Sequence, residues 1–212
     1  APSFRESKTP QRSNYCQDQD ISRAEYAGLS DRNISLETAK MYGVKVLKEE
    51  GFLIKHFYPY YRGNDVVGHK VRNIEGKKFS WTGDAKEPQL FGHHLVQKGS
   101  KALTITEGEC DAMAVFQMTG SRYATVSIKN GVASAVRDCK QNFEYLNSFD
   151  NIVICFDSDS IGRETANRVS EIFPPNKCKI VNLELKDANE YLRAGKREQF
   201  TRTWWDAKPY TP

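Results

Sequence analysis

Two stretches decide the fold: KALTITEGECDAMAVFQMTG at residues 101–120 and NIVICFDSDSIGRETANRV at residues 151–169. In the first, an apolar run over Leu103–Thr106 meets Glu107 and Gly108. A helical pattern follows over 109–119, with Met113, Val115 and Phe116 turned inward. In the second, Ile152, Val153, Ile154, Cys155 and Phe156 form an apolar strand that stops on Asp157-Ser158-Asp159. A carboxylate at the end of a buried strand is costly to desolvate and contributes no packing, so something must compensate it. Ligands of open α/β sheets lie outside the carboxyl ends of the strands, which brings Glu107, Asp157 and Asp159 to one rim. Aspartates two apart on an extended segment face opposite ways, so the chain must turn into the next helix at this point. Carboxylates that converge in this way call for a hard cation, and Mg²⁺ takes oxygen ligands while keeping several waters.

Outward from these stretches the sequence alternates strand and helix. Tyr123–Ile128 reads as a strand ending at Lys129-Asn130-Gly131, with a long helix after it through Tyr145. A strand, a glycine turn and a helix N-terminus form a phosphate cradle, with Lys129 as the candidate contact. Pro174-Pro175 stops the helix that begins at Gly162-Arg163. Cys178–Leu185 reads as a further strand that delivers Asp187 to the same rim. Two terminal helices are expected over Asp187–Ala194 and Arg197–Ala207, with Trp204 and Trp205 packing back on the sheet.

Upstream, residues 44–83 read as a small antiparallel sheet, with turns at Glu50-Gly51 and Glu75-Gly76. Basic and aromatic residues interleave here, among them Lys55, Tyr58, Tyr60, Lys70, Arg72, Lys77, Lys78, Phe79 and Trp81. Single-strand nucleic-acid sites combine a cationic groove with stacking faces. Alternation is also the ordinary pattern of a half-buried strand, so the same residues are equally read as a sheet core with a solvated lysine face. Before the sheet, Ser35 caps a short helix that reaches Tyr42 and ends on Gly43, read as a brace against the following domain. The expected divisions are a polar tail or tether over 1–27, a β-rich subdomain over 28–84, a catalytic domain over 85–207 and a tail over 208–212.

The acids, read with their neighbours, resemble a known pattern. Glu107-Gly108-Glu109-Cys110-Asp111-Ala112, an apolar strand and Asp157-Ser158-Asp159-Ser160-Ile161-Gly162-Arg163 resemble the Toprim signature of primases, topoisomerases and some nucleases. Lys186-Asp187-Ala188-Asn189-Glu190 and Phe91-Gly92-His93-His94-Leu95 narrow the likeness to the primase part of phage and mitochondrial primase–helicases, over roughly residues 28–207. The resemblance implies an α/β fold, α+β overall: a Toprim-like, mostly parallel sheet with helices on both faces, preceded by the small antiparallel subdomain. It implies template-directed synthesis of RNA primers on single-stranded DNA from ribonucleoside triphosphates. Asp157 and Asp159 would be the principal ligands of Mg²⁺ or Mn²⁺, with Asp187 secondary and Asp111 an outer ligand. Glu107 would be a ligand or the general base. Lys70, Arg72, Lys77 or Lys78, Lys129 and His94 would meet nucleotide or DNA.

A Toprim nuclease and a non-catalytic single-stranded-DNA-binding module are the alternatives. The basic, aromatic subdomain weighs against the first and the full set of acids against the second. No candidate tyrosine module for a topoisomerase is present.

The 212 residues hold ample core, at 39% hydrophobic content, and contain no apolar run of membrane-spanning length and no charged-then-apolar signal peptide. Cys16, Cys110, Cys139, Cys155 and Cys178 are odd in number and lack C-x-x-C spacing. That argues against disulfides and against a zinc site in this chain, and for a reducing compartment, either the cytoplasm (of the host, for a viral protein) or an organelle such as the mitochondrion. The net charge of +4 lies wholly in residues 1–83, which carry 14 basic and 10 acidic residues. A polyanionic partner fits that distribution. No P-loop motif is present. The family's zinc module and replicative helicase are therefore expected outside these residues, before Ala1 and after Pro212.

Overall fold

The computed structural model describes residues 19–84, 86, 89–96 and 99–212. Cys16 and the first eighteen residues of the expected tail lie outside them, as does Ala85, where the catalytic domain was expected to begin.

The central sheet follows from its apolar strands. β5 (Ala102–Thr106), β6 (Ala124–Ser127), β7 (Asn151–Cys155) and β8 (Cys178–Ile180) are parallel, and β9 (Lys208–Pro209) closes the order β6-β5-β7-β8-β9 antiparallel to β8. Parallel strands covered on both faces carry apolar residues in both phases. Leu103, Ile105, Ile152 and Ile154 pack with α3 (Val132–Gln141), α4 (Phe143–Asn147) and α5 (Ser160–Ser170). Val153 and Cys155 pack the other way, against α2 (Glu109–Met118), α6 (Ala188–Arg193) and α7 (Arg197–Trp205). Helices thus cover both faces. Trp204 is buried in the second layer, where its Nε1 donates to Thr104 Oγ1 at 3.0 Å.

Four expectations are corrected. The helix after β6 breaks at Asn142, whose backbone leaves the helical region (φ −105°, ψ 20°) while its side-chain Nδ2 joins its own N–H on the Asp138 carbonyl, at 2.9 and 3.1 Å. β8 stops at Ile180 and does not run to Leu185: Tyr191 of α6 takes the N–H groups of Glu184 and Leu185 on its hydroxyl, at 2.8 and 3.3 Å, and draws the chain off the sheet. Trp205 is 63% exposed, one residue out of phase with Trp204. The C-terminal tail is an edge strand, where a proline costs no ladder bond; Tyr210 N donates to Cys178 O at 2.9 Å.

The second sheet is an antiparallel meander of β1 (Lys45–Glu49), β2 (Phe52–Arg62), β3 (Asp65–Asn73) and β4 (Lys78–Gly83). Glu50 (φ 49°) and Gly51 (φ 83°) form the two-residue left-handed turn that a tight hairpin demands. Residues 19–27 are no free tail: Glu25 pairs with Val46 through two backbone bonds of 2.9 Å, and Asp20 meets Lys55 at 2.6 Å.

Aromatic side chains join the two sheets. Tyr58 and Tyr60 of β2 are buried against Phe91, as is Tyr42 of α1 (Leu36–Tyr42), whose hydroxyl donates to Thr125 O at 2.7 Å. Ser35 caps α1 by accepting from Thr38 N, and Gly43 ends it at φ 72°. Tyr58 and Tyr60 are therefore core residues, in a stretch of β2 buried on both faces from His56 to Tyr60, whereas Phe79 on β4 remains 51% exposed.

Candidate active site

Glu107, Asp111, Asp159 and Asp187 are each delivered by the end of an element and oriented by a backbone N–H, and Asp157, which follows β7, supplies one of these donors. Glu107 follows β5, and its Oε1 accepts from Asp157 N at 3.1 Å. Asp111 sits in the first turn of α2, with Oδ1 accepting from Asn189 N at 3.0 Å. Asp159 caps α5 through Gly162 N at 2.6 Å, and Asp187 caps α6 through Glu190 N at 2.9 Å. A carboxylate has about four acceptor sites on two oxygens, so these bonds fix each group while leaving it able to ligate.

Asp111, Asp157 and Asp187 place one carboxylate oxygen each within 4.8 Å of one another. Asp159 lies outside this trio, with Oδ1 on the α5 cap. The sequence-derived order of importance, with Asp157 and Asp159 ahead of Asp187 and Asp111, is therefore not the geometric order.

Electrostatics show the cost of the arrangement. Burial, and next the Asp157 charge, push the Glu107 carboxyl up to about 7 against the opposing Asp157 N–H. Burial, then Asp187 and Asp159, raise Asp157 to about 6, with Lys186 opposing. Burial and then Asp187 push Asp111 well above the ordinary carboxylate range. Desolvated like charges stabilise one another's protonated forms, and a cation among them reverses that. A three-oxygen donor set with room for water suits a hard divalent ion.

Facing the acids across a cavity of about 680 Å³ are Lys70, Arg72, Lys77, Phe79 and Trp81 from the small sheet. Lys70 Nζ is buried, 2.9 Å from Glu109 Oε1, and donates to Lys129 O at 2.6 Å; Tyr60 OH donates to the same Glu109 oxygen at 2.9 Å. Arg72 lies 5.6 Å from the Phe79 ring centre, and its buried Nε has no hydrogen-bond partner among the described residues.

Three expected contacts lie elsewhere. Lys129 is buried, with its ammonium 5.6 Å from the Tyr60 ring and 5.3 Å from Trp81, and its neighbours Asn130 and Gly131 line the cavity. Lys78 is exposed and outside the lining. His94 stacks on Tyr61 with ring centres 3.8 Å apart, also outside the lining.

The lining also holds residues that sequence reasoning passed over: Arg32, Glu109, Lys186, Asn189 and Arg193. Glu109, Lys186 and Asn189 stood inside the motifs, without a role of their own. Arg32 lies in a turn 157 positions before its partner Asn189, and no local pattern marks that contact.

Residues 104–192 match the protein family described as Toprim-like. The DNA helicase/primase of Enterobacteria phage T3 is 32% identical over 191 residues, covering 90% of this chain, which spans 33% of that protein's length. The primase fragment of the bacteriophage T7 primase–helicase superimposes with a TM-score of 0.79 at 33% identity, over 86% of this chain and 76% of that one. A chain from a bacteriophage T7 lagging-strand DNA polymerase complex with primase domains gives a TM-score of 0.81 at 32% identity, over 89% of this chain and 95% of that one. Shared motifs, shared fold and this coverage place the chain among the Toprim-domain DNA primases, in the group that includes the primase domains of phage primase–helicases.

Proposed function

We propose that the chain synthesises short RNA primers on single-stranded DNA by metal-dependent nucleotidyl transfer. One observation carries this reading: an acid trio and a cationic, aromatic wall from a second sheet share a single cavity.

Asp111, Asp157 and Asp187 would hold Mg²⁺ or Mn²⁺, with Asp159 and Glu107 beside them. A bound divalent ion lowers the pKa of an attacking 3′-hydroxyl and stabilises charge on the entering and leaving oxygens. The chain's own residues do the rest. Glu107 lies at the rim beside the trio, fixed by the Asp157 N–H, where it would take the proton from the hydroxyl or join the ligands of the ion. Arg72 and Lys77 neutralise phosphates of template and nucleotide. Lys70, held by Glu109, presents a fixed positive charge to the α-phosphate as charge develops there. Phe79, exposed beside two cations, offers a base a stacking face. The bond formed joins the 3′-oxygen to the α-phosphorus, and the bond broken releases pyrophosphate.

Single-stranded DNA and ribonucleoside triphosphates are the substrates on this reading. A zinc-binding module and a helicase would act from outside the chain, in the host cytoplasm. Among the described residues no helix is long and apolar enough to cross a membrane.

Incubation with single-stranded DNA, labelled ribonucleotides and Mg²⁺ tests the reading. Short oligoribonucleotides that vanish in Asp157→Asn support it, and DNA cleavage in their place would assign a nuclease.

A further inference from the structure

A chain of polar contacts enters the cavity from a direction that the acids and the lysines do not use. Ser30–Arg32 is a single 3-10 turn, closed by Arg32 N donating to Leu29 O at 2.9 Å and ended by Asn33 in the left-handed region at φ 54°. The Asp31 carboxylate divides its oxygens between two partners. Oδ1 is 2.9 Å from His56 Nε2, and Oδ2 is 3.7 Å from Arg32 Nε. His56 lies on β2, wholly buried, and its Nδ1 is 2.8 Å from Tyr58 OH, which in turn is 3.2 Å from Cys110 Sγ. One tautomer closes this series donor to acceptor: Cys110 S–H to Tyr58, Tyr58 O–H to Nδ1, and Nε2–H to Asp31.

On the far side of Asp31, Arg32 Nη1 reaches Asn189 Oδ1 at 3.4 Å, and Asn189 Nδ2 donates to Arg32 O at 3.0 Å. Asn189 N is also the donor that orients Asp111. The series thus runs from the buried face of the small sheet, through Asp31 and Arg32, to the acid trio, and Arg32 lines the cavity.

A satisfied core histidine would need only its two hydrogen bonds. Here the carboxylate that binds His56 also faces the guanidinium that borders the cavity. A three-residue turn does not by itself fix an arginine, whose side chain carries about 2 kcal/mol of rotamer entropy. The Asn189 contact, at 3.4 Å, is long for a hydrogen bond, and the Asp31 carboxylate, at 3.7 Å, acts on the guanidinium by charge as an ion pair, so the two together hold its direction.

We propose that His56 and Asp31 are positioning residues, which hold Arg32 against the cavity so that its guanidinium meets the phosphates of the incoming nucleotide. This rests on the reading of the cavity given above. His56 locks the carboxylate, the carboxylate aims Arg32, and neither touches the reacting atoms.

The test is a double-mutant cycle on primer extension, with KM for the nucleotide and kcat measured separately. Asp31→Asn and His56→Gln are expected to raise KM by roughly fivefold or less, the scale of one partly exposed ion pair, with kcat nearly unchanged. In an Arg32→Ala background neither substitution should raise KM further, because their target is gone. Equal factors in both backgrounds, or a lower melting temperature without a change in KM, would overturn the proposal. Asp31 is partly exposed, so Asp31→Asn serves where His56→Gln fails to fold. A wild-type KM in Arg32→Ala also overturns it, and Asp157→Asn separates the cases: loss of synthesis there leaves the primase reading standing, while retained synthesis removes both.

Discussion

The backbone N–H of Asp157 donates to the Glu107 carboxylate at 3.1 Å, tying together the ends of two adjacent parallel strands. The bond sets the spacing of the rim, and Gly162 explains why it is so close. A Cβ at Gly162 would run into the Asp157 carbonyl and come within 2.9 Å of Glu107 Oε1. Gly162→Ala should therefore move both acids while the helical content of α5 stays intact. The expected outcome is a loss of nucleotidyl transfer of at least about tenfold, since small misplacements of catalytic groups are amplified in rate. A circular-dichroism spectrum like the wild type's, measured alongside, locates the defect at the rim. Full activity would show that the Asp157 carbonyl yields freely.

Capping and ligation can be separated at Asp159. Asparagine caps a helix about as well as aspartate, and alanine does not. Asp159→Ala is expected to lower stability by about 1 kcal/mol and Asp159→Asn to leave it unchanged, both read from urea unfolding without metal. Mn²⁺ titration of Asp157→Asn and Asp187→Asn should show a weakened or absent site. Wild-type Mn²⁺ binding in both would remove the trio as the metal site.

Lys70 of β3 and Glu109, at the start of α2, are buried partners. Removing one member of such a pair strands the other charge, at a cost of about 3–5 kcal/mol, whereas replacing both with apolar groups of similar shape costs far less. Lys70→Met and Glu109→Leu should each destabilise strongly, and the double variant should recover most of the melting temperature. The double variant should still fail in primer synthesis, because the fixed charge is absent. Recovery of synthesis together with stability would assign the pair to the sheet junction alone.

How much of this was legible in the sequence follows from the range of each interaction. The strands bearing Glu107 and Asp157 are written in contiguous apolar residues, and Ser35, Gly43 and the Glu50-Gly51 turn are local signals of a few residues. Asp187 was placed on the correct rim although the strand before it ends five residues early, at Ile180, because only the Tyr191 hydroxyl, reaching back from α6, marks where the chain leaves the sheet. Lys129 carries a charge beside a glycine turn and reads as a phosphate contact; its enclosure by Tyr60 and Trp81 depends on packing between two sheets. Arg32 was invisible for the same reason. The sequence shows which residues can do chemistry, and tertiary contacts choose among them.

His69 makes the fold sensitive to acid. It lies on β3 with Nδ1 buried and without a hydrogen-bond partner among the described residues; burial, then the Lys45 charge, lower it to about 4 from 6.5. The folded state thus keeps this ring neutral, while the unfolded chain takes a proton below about 6.5. The unfolded state then binds more protons, so stability falls as pH drops from 6.5 toward 4 and levels off below that. The upper limit is about 3 kcal/mol, and solvent at the partly exposed ring reduces it. His69→Gln should flatten the urea midpoint against pH across this window. An unchanged slope would place the acid sensitivity elsewhere.

The cationic wall makes a prediction about salt. Arg72 has a buried Nε that lacks a hydrogen-bond partner among the described residues, and Lys77 borders the same cavity, so each is expected to meet a phosphate in the complex. Every phosphate neutralised on a single strand releases condensed counterions and contributes about 0.7 to the slope of log affinity against log salt. Arg72→Ala and Lys77→Ala should each weaken binding of single-stranded DNA and flatten that slope by about one such increment or less. Phe79→Ala removes a stacking face and no charge. It should cost about 1–3 kcal/mol of affinity with the slope preserved. Lys78→Ala, at a residue outside the lining, should leave both quantities near the wild-type values. The pattern across the four variants is the discriminating result: equal slopes throughout would mean that the phosphates do not lie against this wall, and that the small sheet serves only to carry Lys70 to the acids.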